Sequence, residues 1–154
     1  MSKYDVNIVD YPDKSLAGIK IRTSKEKAGI DCPAIWQELQ ARLSEISPDC
    51  GNDSYGLSVM LNDNEFDYWA TIEFDPARPV PAGLETIEIP AGSYAKITAP
   101  NLDKLSEAYT FIYTDWFENQ TSYSYRAEAP CFEIYPSGWT VVAPLEIFMP
   151  LAKK

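Results

Sequence analysis

The sequence repeats one order of predicted elements twice, and this repetition restricts the possible folds more than any other feature. Each set reads as a strand, a proline-centred bulge, a second strand, a helix, and two strands joined by a hairpin. The bulge prolines Pro12 and Pro90 match across the sets, and we also match Leu57 with Phe132. The pattern predicts an α+β fold, a tandem βαββ duplication whose antiparallel half-sheets carry one main helix each.

The two sets occupy residues 1–75 and 84–151 and are joined by a stiff, proline-rich linker over 75–83. A chain of 154 residues is long enough for a single domain with a hydrophobic core. We therefore expect one domain, 1–154, with a ligand pocket between its two repeats.

Apolar residues at helical spacing predict one helix in each repeat. The first is expected to begin with Asp31 as its N-cap and Pro33 in its first turn. The second is capped by Asn101 or Asp103 and runs to about Phe117. Both helices should cover the same face of the sheet.

A single acid, Glu133, interrupts the apolar strand in the stretch 129–149. Strand alternation separates it from Phe132, which we expect beneath the helices together with Leu57. On that reading Glu133, Ser58 and Trp69 share the opposite face, with Ser58 as the counterpart of Glu133. Two interpretations of the acid stay open: it faces water, or it lies at the bottom of an aromatic pocket and awaits a cation.

The composition excludes several kinds of function. The net charge of −10 opposes binding to nucleic acid phosphates. The chain has no histidine, and its three cysteines have no metal-ligand spacing, so we predict neither a Ser-His system nor a metal or cofactor site. No apolar run reaches membrane-helix length and no signal peptide is evident, so a cytoplasmic protein without membrane contact is expected.

Two segments carry a resemblance to a known family: V-N-I-V-D-Y-P-D-K-S-L-A-G-I near the N-terminus and G-L-E-T-I-E-I-P-A-G-S-Y-A-K-I in the second repeat. The run P-C-F-E-I-Y resembles the family's acidic strand, and Trp116 resembles its helix-end tryptophan. In this order, the segments resemble gyrase-inhibitor-like proteins and AraC-type effector-binding domains over nearly the whole chain.

The resemblance implies a pocket in which a buried glutamate neutralises lipophilic cations among aromatic rings. It places Glu133 at the acid's position, Tyr55 at a pocket tyrosine and Trp36 near an aromatic helix position. With Trp69 added from strand alternation, the predicted ligand-binding residues are Glu133, Tyr55, Trp36, Trp69 and Trp116. Each aromatic residue has an alternative role in packing, and Tyr68 could face the ligand instead of Trp69.

The predicted partner is therefore a small molecule, cationic and aromatic, bound by a module that resembles stand-alone multidrug-binding proteins without a DNA-binding domain. A homodimer or a separate partner regulator stays open. One alternative is a hydrolase of small reactive electrophiles, with Glu133 as general base and Tyr55 or Tyr135 polarising the substrate. The other is a protein that inhibits gyrase. We expect a binding module rather than an enzyme, since no dedicated nucleophile is present.

Overall fold

The computed structural model describes residues 4–42, 45, 53–62, 64–74, 77–126, 129–136, 140 and 142–154. Residues 75 and 76 of the predicted linker, and most of the turn predicted within 129–149, lie outside this part. The strands are β1 (Asn7–Tyr11), β2 (Lys14–Ser24), β3 (Ser54–Met60), β4 (Glu65–Glu73), β5 (Glu85–Ile89), β6 (Gly92–Ala99), β7 (Tyr123–Tyr125), β8 (Cys131–Tyr135) and β9 (Leu145–Lys153).

Two helical segments accompany the strands. The first is α1 (Ala28–Gln40). The second begins with a 3₁₀ turn (Leu102–Lys104), continues as α2 (Leu105–Thr110) and ends in a π-helical stretch (Phe111–Trp116). Among the described residues, no helix is long and apolar enough to cross a membrane.

The main sheet has the order β1-β6-β9-β8-β3-β4-β2-β5, and every pairing in it is antiparallel. β3 and β8 form its centre, and each half contains the strands around one helical segment. The tandem βαββ duplication predicted from the sequence is confirmed. The repeats also exchange their edge strands, because β1 pairs with β6 of the second repeat and β5 pairs with β2 of the first.

The strand registers show which residues correspond between the repeats. Gly56 pairs with Ala70 in the first repeat, and Glu133 pairs with Ile147 in the second. Glu133 follows Gly56 by 77 positions, and Ile147 follows Ala70 by the same 77 positions. The counterpart of Glu133 is therefore Gly56, and the expectation of Ser58 in that role is wrong. Gly56 and Glu133 are also direct neighbours across the central pair of strands.

The sheet curls strongly, which gives it an inner and an outer face. β1 and β3 are separated by three strands, yet the hydroxyl oxygens of Tyr11 and Tyr55 lie 3.3 Å apart. The curl encloses an aromatic core in which Phe132 and Phe148 stack with ring centroids at 4.8 Å. The buried residues of this inner core are Leu16, Tyr55, Leu57, Trp69, Ile89, Tyr94, Phe132 and Phe148.

The helical segments cover the outer face, one over each half of the sheet. Ile35 and Leu39 of α1 pack with Tyr68, Ala70 and other residues of the first repeat. Ala108, Phe111 and Ile112 pack with strands β6, β8 and β9 of the second repeat. Both faces of the sheet are thus apolar and buried, which is unusual for an antiparallel sheet with helices on one side.

The boundaries of the helices agree in part with the sequence-based expectations. The side chain of Asn101 accepts a hydrogen bond from the backbone N–H of Lys104, as predicted for a helix cap. The expectation that Asp31 caps the first helix is wrong: α1 begins earlier, and the Asp31 carboxylate accepts a hydrogen bond from Thr23 Oγ1 at 2.8 Å. Pro33 consequently lies within the helix.

Candidate functional site

Glu133 lies on the outer face of β8, the face that the helices cover. It belongs to the same row across the sheet as Gly56 and Ala70, and Ala70 is in the core beneath α1. The expectation that Glu133 lies away from the helices, with Leu57 and Phe132 beneath them, is wrong. Strand alternation separates Glu133 from Phe132, but it cannot tell which face meets the helices when both faces are apolar.

The Glu133 carboxyl is buried and held by tyrosines. Its exposed fraction is 2%. Oε1 accepts hydrogen bonds from Tyr68 at 3.2 Å and Tyr135 at 2.9 Å, and Oε2 accepts one from Tyr109. The donors come from β4, from β8 itself and from α2, so the carboxyl joins the central strands to the second helical segment.

Trp36 extends this network into α1. Its indole N–H donates to the Tyr68 hydroxyl at 2.9 Å, and its ring packs edge-on against Tyr135 with centroids 5.3 Å apart. The carboxyl is thus held indirectly from the first helix and directly from the second. A network in which every polar atom has a partner can be both buried and rigid.

The protonation states follow from burial. Burial raises the pKa of the Tyr68, Tyr109 and Tyr135 phenols well above the usual range, and the nearby Glu133 raises it further. These hydroxyls therefore stay protonated and donate. Burial also raises the pKa of the Glu133 carboxyl, while the tyrosine hydrogen bonds lower it in part.

Glu133 has no ion-pair partner among the described lysines and arginines. Arg126, the basic residue nearest to it in sequence, donates instead to the carbonyl oxygen of Ala91 at 3.2 Å. A buried carboxylate without a countercharge is costly, so the site favours either a proton or an incoming cation.

A cleft of about 440 Å³ opens above Glu133, between α1 and the second helical segment. Its walls are mainly apolar and aromatic, with scattered hydroxyl and thiol groups. The lining residues are Lys25, Ala28, Cys32, Ser58, Met60, Phe66, Tyr68, Leu105, Ser106, Tyr109, Thr110, Tyr113, Cys131 and Glu133. This volume falls in the range of small-molecule pockets, roughly 300–1,000 Å³.

Both cysteines that line the cleft are poor nucleophiles. Burial raises the pKa of the Cys32 and Cys131 thiols to about 12, and the charge of Glu133 contributes to both shifts. A thiol is reactive only as its thiolate, so neither cysteine offers a reactive group near neutral pH.

Gly56 creates the space for the carboxyl. A Cβ atom at this position would lie 2.7 Å from Glu133 Oε1 and 2.6 Å from the Tyr68 hydroxyl oxygen, both closer than van der Waals contact. Because Gly56 is the counterpart of Glu133 in the other repeat, only one of the two equivalent positions can carry a side chain. The site is asymmetric for this steric reason.

The structure separates the five residues predicted to bind ligand. Glu133 lines the cleft and Trp36 lies directly behind Tyr68. Tyr55 and Trp69 belong to the inner core on the other face of the sheet. Trp116 packs against Phe117, with ring centroids 5.1 Å apart, beside the core of the second repeat.

Tyr55 takes part in a separate polar group on the inner face. Its hydroxyl accepts a hydrogen bond from Lys14 at 3.0 Å and donates one to Glu73 at 3.1 Å. Lys14 and Glu73 also form an ion pair at 3.2 Å. The charges of this group compensate each other, so it has no need of a ligand.

None of the three tyrosines that donate hydrogen bonds to Glu133 is among the five predicted ligand-binding residues, although the sequence contains signals for them. Tyr135 lies two residues after Glu133 and so shares its face. Tyr109 lies at helical spacing from Leu105 and Ile112, which is typical of the apolar face of a helix, and that face covers Glu133. Tyr68, considered as an alternative to Trp69, is the one of the pair that lines the cleft.

We expect Gly56→Ala to disturb the site more than the fold. The atoms nearest the new methyl group are the ends of the Glu133 and Tyr68 side chains, which can rotate away. Overpacking of this kind costs about 1–3 kcal/mol. Urea unfolding should show that loss, and the tyrosine hydroxyl resonances should show that the hydrogen bonds to Glu133 are changed. Gly29→Ala, which meets no atom within 4 Å, is the control and should retain both properties.

The raised pKa of Glu133 predicts a pH dependence of stability. The folded state binds the proton more tightly than the unfolded state, so the free energy of unfolding should fall as pH rises through and above the usual carboxyl pKa. Glu133→Gln removes this contribution. Unfolding measured from about pH 4 to pH 8 should show that the variant gains stability relative to wild type as pH rises; parallel profiles would contradict the assignment.

The fold is similar to those of several solved structures. An integron cassette protein from the mobile metagenome of Vibrio cholerae has a TM-score of 0.63 and 16% identity, with 97% of each chain covered. SAV2435 bound to tetraphenylphosphonium has a TM-score of 0.71 and 19% identity, covering 96% of this chain and 94% of that one. The C-terminal domain of EcmrR has a TM-score of 0.67 and 12% identity, with 99% of each chain covered. At these identities the likeness shows a shared fold.

No curated protein sequence matches the chain. A family model, by contrast, matches residues 7–151, which include both helical segments and all of the main sheet except the last two residues of β9. Binding of small-molecule effectors is the general role that this match supports. The chain belongs to the family of integron-associated effector-binding proteins.

Proposed function

We propose that the cleft binds a lipophilic aromatic cation whose positive charge lies against Glu133. The observation that carries this proposal is a carboxyl with an exposed fraction of 2%, at the floor of a cleft, with no basic partner among the described residues. A structural acid in such a position is usually paired with lysine or arginine.

The tyrosines explain how the acid remains available to a ligand. They hold the carboxyl in one orientation through neutral hydrogen bonds, and the rings of Tyr68 and Tyr109 also line the cleft. A cation over such a ring gains about 0.5–2 kcal/mol, depending on its desolvation. A flat or multi-ring cation can combine these contacts with the charge of Glu133.

The shape of the cleft supports breadth rather than a close fit to one compound. Most of its surface is apolar or aromatic, and such walls contact carbon surfaces of many shapes. The structural similarity to SAV2435, which was determined with tetraphenylphosphonium bound, is consistent with a bulky ligand of this kind. Charge would then be the main property that the site requires.

The hydrolase alternative finds less support in the geometry of the acid. A general base needs a free lone pair within hydrogen-bond reach of the water it activates. Of the roughly four lone pairs of the Glu133 carboxylate, three already accept hydrogen bonds from tyrosines. These contacts suit an acid that holds a charge better than one that moves a proton from water.

The first test is the affinity for a fluorescent cationic dye. Glu133→Gln keeps the size of the side chain and removes its charge, so we expect a loss of about 3 kcal/mol, or roughly a hundredfold in Kd. Glu146→Gln is the matched control. Glu146 lies on the neighbouring strand β9, on the opposite face, and pairs with Lys96. Equal affinities for wild type and Glu133→Gln would overturn the proposal.

A second test separates the two faces of the sheet. Trp36→Phe removes the N–H donated to Tyr68, and loss of one such hydrogen bond costs about 0.5–1.5 kcal/mol. We therefore expect dye affinity to fall several-fold. Trp69→Phe, in the inner core, should leave the affinity unchanged. If Trp69→Phe lowered the dye affinity more than Trp36→Phe does, the ligand would lie on the inner face instead.

A further inference from the structure

Lys25 gives the cleft a second charge, at its mouth. It follows the last residue of β2, and its backbone N–H donates to the Asn64 carbonyl oxygen at 3.0 Å. This bond fixes the chain where it leaves the sheet. The residue is exposed, and it lines the same cleft as the buried Glu133.

The ammonium group of Lys25 forms no ion pair with any described residue. No described carboxylate therefore holds this charge in direct contact. Apart from Glu133, the other lining residues are neutral, since the phenols and thiols among them stay protonated at neutral pH. A ligand in the cleft thus meets one acid at the floor and one base at the mouth.

These two charges act differently on ligands with one or two cationic centres. A monocation can place its charge against Glu133 and extend a neutral or electronegative end toward Lys25. A dication bound in the same orientation brings its second positive charge toward the Lys25 ammonium group, which repels it. The net charge of −10 attracts the dication more strongly than the monocation. Charges more than roughly 8 Å from the ligand are, however, largely screened at physiological salt.

We propose that Lys25 is a specificity-determining residue that makes the cleft select ligands with a single cationic centre over dications. The inference rests on the proposed function, because it assumes that a cation occupies the floor of the cleft. It adds a property that Glu133 and the aromatic walls do not supply. A group of electronegative character at the far end of the ligand would be favoured for the same reason.

The test compares ethidium with propidium, which share one phenanthridinium ring system; propidium carries an additional quaternary ammonium group on its side chain. The measured quantity is the ratio of the two Kd values, propidium over ethidium. Lys25→Met should lower this ratio by about three- to tenfold, the range expected for one exposed charge beside the ligand. Lys25→Glu should lower it further.

Lys27→Met is the matched control. It removes the same charge two residues away, from an exposed side chain that does not line the cleft. The ratio should stay at the wild-type value in this variant. An unchanged ratio in Lys25→Met would overturn the inference. An equal change in both lysine variants would also overturn it, because the change would then come from the net charge of the protein and not from the position of Lys25.

The outcomes separate this inference from the function on which it rests. Ethidium binding that requires Glu133, together with a Kd ratio that is unchanged in Lys25→Met, would leave the proposed function standing and show that the role of Lys25 is wrong. If neither dye binds wild type, the proposed function fails and the inference with it. Both dyes are followed by their own fluorescence, so the readout needs no change in the protein.

Discussion

The site depends on a steric constraint at the centre of the sheet. The two repeats meet where β3 pairs with β8, and Gly56 and Glu133 are the equivalent residues at that meeting point. The carboxyl occupies the volume that a side chain at position 56 would need. A symmetric arrangement with an acid in each repeat would place two carboxyls in one space, so the duplication can hold a central acid only if one copy has lost its side chain.

The tyrosines around the carboxyl make a stable fold compatible with a buried charge site. Three hydroxyl donors compensate part of the cost of removing the acid from water, and Trp36 holds one of the donors in place. A lysine in their place would neutralise the carboxylate, and a cationic ligand would then gain no charge interaction. Because the tyrosines are neutral donors, the carboxylate keeps its attraction for a cation.

Much of the fold could be predicted from the sequence because its signals are local. The order of elements, the proline bulges and the Asn101 cap each follow from a few neighbouring residues. The acid could be singled out for a similar reason, since Glu133 interrupts an apolar strand. The resemblance to a known family then gave it a role that the residues alone left open.

The remaining features depend on contacts between distant parts of the chain. Trp69 and Tyr55 were expected beside Glu133, but the curled sheet buries both of its faces, and no local pattern distinguishes the inner from the outer one. The assignment of Ser58 as the counterpart of Glu133 was wrong by two residues, because the match depends on the registers of β3 with β4 and of β8 with β9, which no local pattern shows. The role of Gly56 needed that register before it could be recognised.

The exchange of edge strands has a consequence for how the chain can fold. β1 ends at Tyr11, and its strand partner β6 begins only at Gly92, in the other repeat. The ribosome therefore releases the whole first repeat before β1 can pair, and a chain cut between the repeats would leave each half with an edge strand whose partner is in the other. The duplicated units are related by sequence order and shape, yet each needs the other to complete its strand pairing; such non-local pairing is typical of slowly folding topologies.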